Sequence, residues 1–420
     1  MSTFGDELAQ LMAARGIGTN ELARRSHYAA GHISNLRSGA KRPSPECAAE
    51  LDAILGADGR LTALAPSSKG EPSAPDILAD PGGDLALIEL ARRAEASDLG
   101  GSTVELLQAS ADRLCRDYPT VDPRVLSGHA RTHLGYVTDL LGKRVTLAQH
   151  RDLLAVAGWL SALLACTCYD AGDPGAAETA RRMVRQFGEH AGHGELIAWS
   201  FEIAAWYALV EGRTAQAVAL CEAGLAHAGV SNAAVQLTVQ ASRAYARLGD
   251  DRAGKMLAAG GAVLARLPVP EHPEHHFVFD RDKFEFYTAT VYTWLGTDDA
   301  AAEENAREVV ARCHGPGGAI IWPTRLSTTL VNLGQIAGRR GDLDEAVGLG
   351  QESLRCGRRS AELLPRAAEL ERRLAARYGA ERLVNEYGEL LREEFRALPP
   401  CDARRLDEAV GRRMDGRALP

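Results

Sequence analysis

The chain has 420 residues, 45% hydrophobic and 25% charged, with a formal net charge of −8. That length and balance suit a folded protein of two or three domains, or an elongated array. The acidic total argues against a general coat for polyanions, so any contact with nucleic acid has to be local. Aromatic residues are scarce at 5% while alanine, leucine and arginine abound, which favours helices.

Residues 4–14 carry Phe4, Leu8, Leu11 and Met12 at helical spacing, and Gly16 and Gly18 break that helix. Thr19 is placed to cap a second helix, Thr19 to Arg25, with Leu22 and Ala23 inside. After a corner at Ser26-His27-Tyr28, a third helix spans Ala30 to Arg37, burying Ile33 and Leu36 and closing at Gly39. Ser44 and Pro45 start a fourth helix with Leu51, Ile54 and Leu55 inward, and Leu61 and Leu64 mark a fifth short turn.

Two short helices joined by a tight corner in so small a bundle make helix-turn-helix geometry. With Ile33 and Leu36 buried, the third helix offers Ala29, Ala30, His32 and Asn35 to the edges of bases in a major groove. Asn20, Arg24, Ser34, Arg37, Lys41 and Arg42 are placed for phosphates. From Arg24 to Arg42 there are five basic residues and no acidic one, the local positive edge such contacts need.

The runs Glu21-Leu22-Ala23-Arg24-Arg25-Ser26, His32-Ile33-Ser34-Asn35-Leu36-Arg37-Ser38-Gly39 and Lys41-Arg42-Pro43-Ser44 resemble the Cro/C1-type (XRE) helix-turn-helix family. That resemblance implies a five-helix domain that binds palindromic operators in double-stranded DNA as a homodimer. The chain departs from the family pattern at Thr19-Asn20, where Ser-Gln is common, and at Arg37, where glutamate is common. Ala29 stands near a position usually held by a capping Ser or Thr, a loss of about 1 kcal/mol at the helix start.

Residues 66–84 are rich in proline and poor in apolar side chains and read as a flexible linker after the 1–65 domain. A first body helix is expected over Leu85 to Ala96, a capping box at Ser102 with Glu105, and a helix start at Asp122-Pro123. Further helices follow near residues 153–169, 176–190, 196–210, 215–226, 235–248, 284–295, 300–313, 327–339, 343–355, 361–377 and 383–395. The turns repeat: Gly172, Gly212, Gly249, Gly296 and Gly341 are each followed by an alanine, at Ala177, Ala217, Ala253, Ala301 and Ala346. This resembles the tetratricopeptide repeat, although the glycines lie 40, 37, 47 and 45 residues apart against the 34 of that repeat.

The expected architecture is all-α: a five-helix helix-turn-helix domain, then a superhelical solenoid of α-α units over 85–400, then a basic tail over 401–420. The order of domains resembles that of actinobacterial regulators and, more distantly, of peptide-sensing regulators. It implies a body that dimerises the protein or senses a small molecule or peptide. Candidate effector contacts are His272, His275 and His276 in the segment between repeats, with Trp206, Tyr245 and Tyr287.

The eight cysteines form no Cys-x-x-Cys pair, and His129 and His133 lack a third nearby ligand, so neither a metal nor another cofactor is expected. No nucleophile elbow or phosphate-cradling loop stands in the sequence, and the chain is read as no enzyme. The first residues lack a signal peptide and the apolar run Leu153 to Cys168 reads as a buried helix, so a cytoplasmic protein with no membrane contact is expected. The competing reading is a helical-repeat scaffold for protein interactions with a vestigial DNA-binding head.

Overall fold

A computed structural model describes residues 3–65, 91–93, 95–100, 102–358 and 360–396, and the described structure is all-α. The chain divides into two compact units, Met1–Arg93 and Ala94–Pro420. The expected linker, most of the expected helix Leu85 to Ala96 and the basic tail lie outside the described residues.

Residues 3–65 of the first unit form five helices: α1 (Phe4–Ala14), α2 (Thr19–Arg25), α3 (Ala30–Arg37), α4 (Pro45–Leu55) and α5 (Arg60–Leu64). Thr3 and Asp6 close a reciprocal capping box at the start of α1. The Ser44 hydroxyl accepts from the Cys47 N–H at 3.2 Å, and Pro45 fills the first turn of α4. Leu8, Leu22, Ile33, Leu36, Leu51, Leu55 and Leu61 form its fully buried centre.

One local expectation is corrected here. Gly18, not Thr19, stands before α2, and the Thr19 hydroxyl accepts from Arg37 instead of capping the helix. Leu61 and Leu64 both lie in α5 as expected, Leu61 fully buried and Leu64 exposed. α5 hangs on Asp52, whose buried carboxylate accepts from the N–H groups of Gly59, Leu61 and Thr62 at 2.8, 2.7 and 3.0 Å.

The second unit pairs its described helices antiparallel, one pair after another: α6 (Thr103–Asp117) with α7 (Pro123–Leu141), α8 (Leu147–Asp170) with α9 (Pro174–Ala191), α10 (Gly194–Val210) with α11 (Thr214–Ala228), and α12 (Asn232–Leu248) with α13 (Arg252–Leu264). The series goes on with α14 (Arg281–Leu295) and α15 (Asp299–Arg312), α16 (Pro323–Arg340) and α17 (Leu343–Ser353), and α18 (Leu363–Tyr378) and α19 (Arg382–Arg396). The first helix of each pair also packs on the first helix of the next, which makes a continuous inner row. Stacked pairs of this kind form a solenoid.

Gly172, Gly212, Gly249, Gly296 and Gly341 all sit in the left-handed region at the turn inside a pair, where any other residue is strained. Ala177, Ala217, Ala253 and Ala346 are fully buried against the partner helix. In the Gly296 unit the buried alanine is Ala302, and the expected Ala301 is only half-buried, because α15 begins one residue later after its turn. Ser102 makes no side-chain cap on α6, so the capping box expected with Glu105 does not form. α8 is long and apolar enough to cross a membrane by length and composition, and in this fold it is mostly buried, packed against α7, α9 and α10.

Candidate nucleic-acid interface and body cavity

α3 has eight residues, and Ile33 and Leu36 define the side that faces the core. At 100° per residue, the positions farthest from that side are Gly31, Ser34, Asn35 and Ser38, and all four are exposed. Ser34 and Asn35 belonged to the sequence reading, whereas Gly31 and Ser38 escaped it. Gly31 offers no side chain to flag, but its Cβ position is open space, so a base edge can approach the backbone there.

His32 lies on the shoulder of the helix and is half-buried. Its ring stacks on Tyr28 at 5.1 Å, and its Nδ1 stands 3.4 Å from the Lys41 ammonium. This places the exposed Lys41 ammonium beside His32 of α3. Ala29 is exposed and Ala30 half-buried at the start of the helix, which has no side-chain cap.

Around this surface the cations differ in their commitments. Arg24 and Arg25 both pair with Glu21, the Arg25 contact at 2.8 Å, and these bonds hold the Glu21 carboxyl below its ordinary range. Arg37 reaches back to Thr19 at 3.3 Å, tying the end of α3 to the start of α2. Arg42 and Asn20 are exposed. His27 is bonded to Glu50 through its backbone and its ring at 3.0 and 2.8 Å, which fixes the corner between α2 and α3.

In the second unit the inner helices line a cavity of about 910 Å³ of empty space, counting its open mouth. The stretch between α13 and α14 and the stretch between α17 and α18 both contribute to its wall. Of the candidate effector contacts, Trp206, Tyr287, His275 and His276 line this cavity, while His272 and Tyr245 do not. His272 is half-exposed and pairs with Glu274, and Tyr245 packs under Arg252 on another side of the body.

The segment was expected as a loop between repeats, and it is anchored. The His276 N–H donates to the Cys115 carbonyl at 3.0 Å, and its ring lies 3.7 Å from that of Tyr118. Burial holds His275 down to about 4 and His276 well below the ordinary imidazole range, with the nearby Lys283 cation adding to both, so both rings are neutral at pH 7. Burial likewise pushes the Glu202 carboxyl up to about 7 and the Lys283 ammonium down to about 8.

Residues 3–65 match the family model of a helix-turn-helix domain, the span occupied by the five helices of the first unit. No curated protein matches the chain. The protein thus carries an N-terminal helix-turn-helix domain of DNA-binding, regulatory type, followed by a solenoid of paired helices. Among the described residues, no cluster of three His, Cys, Asp or Glu side chains is set to hold a metal ion.

Proposed function

We propose that this protein is a sequence-specific transcriptional regulator that binds a palindromic operator as a homodimer and answers to an effector held in its helical body. The observation that carries the reading is the uncovered outer row of α3, Gly31, Ser34, Asn35 and Ser38, inside a domain that matches a helix-turn-helix family. That row enters a major groove. Asn35 reads a base edge, with His32 at the margin, and Ala29 and Ala30 allow close approach. Asn20, Ser34, Arg24, Arg37, Lys41 and Arg42 hold the phosphates and make the affinity salt-dependent. Two heads on one duplex face reach half-sites about one helical turn apart. The body resembles tetratricopeptide-type arrays in its glycine turns and buried alanines, and its cavity is the effector site of this reading.

The test is a selection of duplexes from a randomised pool with the full chain. Recovery of a shared motif in two half-sites supports the regulator. Recovery of no motif, with binding that is indifferent to sequence, returns the chain to the scaffold reading.

A further inference from the structure

The inference rests on the effector reading above and assigns its chemistry. The cavity wall holds two cations without a close carboxylate partner. The Lys283 ammonium donates to two backbone carbonyls, His276 at 2.8 Å and Val278 at 3.1 Å. Arg325 stands 3.8 Å from its one carboxylate, Asp280, lies over the Trp322 ring at 4.0 Å, and keeps its Nη1 buried with no hydrogen-bond partner. The carboxylates of the wall are otherwise engaged: Glu362 with Arg243 and Arg366, Glu274 with His272, and Glu202 with Gln236 at 3.0 Å.

Two further buried polar atoms on the same wall have no partner, the Trp199 indole N–H and the Gln236 amide oxygen. Buried polar groups are rarely left unpaired, and a cavity that gathers two donors and an acceptor in that state is shaped for a ligand. Four aromatic rings also stand on this wall, those of Trp206, Phe286, Tyr287 and Trp322. Burial holds both the Lys283 ammonium and the Arg325 guanidinium below their ordinary ranges, and the Arg325 cation adds to the lowering of Lys283.

We propose that the body cavity binds a small aromatic carboxylate carrying a hydrogen-bond donor, its acid group on Arg325 and Lys283, its ring among Trp206, Tyr287 and Trp322, and its donor on the Gln236 oxygen. An amine would meet the two cations, and a neutral amide would leave Arg325 without its charge-assisted bond.

Titration calorimetry of the full chain with 4-hydroxycinnamate, its amide and tyramine tests the assignment. Saturable binding of the acid at least tenfold tighter than the amide, with tyramine weaker still, supports it. Arg325→Gln then brings acid and amide level, and Lys283→Met gives the same comparison if the first variant loses its helical circular dichroism. Trp206→Ala weakens acid and amide alike. An acid that binds no better than its amide, no saturable binding by any of the three, or an acid preference that survives in both charge variants overturns the proposal. Repeating the titrations on the selected duplex separates the two readings. An acid that binds the cavity without changing duplex affinity supports the site and overturns the effector role, whereas loss of duplex selection with the cavity intact counts against the head alone.

Discussion

The side chains of Asn35 and Arg42 are exposed and, among the described residues, make no hydrogen bond or ion pair within the head. Arg24, Arg25 and Arg37 already have partners within their own unit, so a phosphate must compete with those bonds. Arg42→Ala is expected to weaken binding to all duplexes alike and to lower the slope of log affinity against log salt by about one. Titrations at several salt concentrations measure both. In the body, Glu202 has a testable titration. Its carboxyl sits at about 7 when folded, against about 4.3 when unfolded, so the folded state keeps a proton that the unfolded state releases. This contribution lowers stability as pH rises between those values. Glu202→Gln should remove that slope and raise stability at pH 8, on the order of 3–4 kcal/mol, in thermal melts over pH 4–8. The sequence displayed Asn35 and Ser34 because helical spacing fixes which way they point. It did not display the half-burial of His32, which depends on Tyr28 and Lys41 arriving from outside the helix.

The elements were legible wherever one residue type has one conformational job. Glycine alone sits without strain in the left-handed turns, so each such turn announced a helix pair. Caps were less legible, since Thr19 and Ser102 each have the right hydroxyl yet form no cap. The Asp52 staple of α5 escaped because its amide donors lie seven to ten residues downstream. Burial by itself would raise Asp52, but those N–H bonds outweigh it and hold the carboxyl below its ordinary value. Gly5 in α1 also has a role that periodicity hides. A Cβ there would stand 2.7 Å from the Arg37 carbonyl oxygen and 2.9 Å from that of Leu36, backbone atoms that cannot swing aside. Gly5→Ala should therefore destabilise the head by about 1–3 kcal/mol, despite the better helix propensity of alanine, worth about 1 kcal/mol. Hydrogen exchange of the α1 and α3 amides reads the change, and duplex affinity should fall with it.

For the body as a whole, one carboxylate links segments that are far apart in the chain. Asp170 at the end of α8 accepts from Tyr118 at 2.6 Å, Arg358 at 2.9 Å and the Ala361 N–H at 2.9 Å, and Arg358 also donates to the Val121 carbonyl. The first pairs of the array are thereby tied to the segment before α18, which carries part of the cavity wall. Removing one side of so buried a pair strands the other charge, so Asp170→Ala should cost about 3–5 kcal/mol. Chemical denaturation followed by tryptophan fluorescence reports on the body selectively, because every tryptophan lies in it. Contacts across 188 and 191 residues leave no local pattern in a sequence, which is why the paired helices could be read in advance and the cavity they close could not.

The central claim is that α3 reads bases through its exposed row. It is tested most directly by titrating the wild type and Asn35→Ala against the selected duplex and against variants changed at one base pair in each half-site. The wild type is expected to lose about 1–3 kcal/mol at one position in each half-site, and Asn35→Ala to bind the original and changed duplexes equally there while keeping its preferences elsewhere. A wild type that binds original and scrambled duplexes alike, or an Asn35→Ala protein with every preference intact, contradicts it.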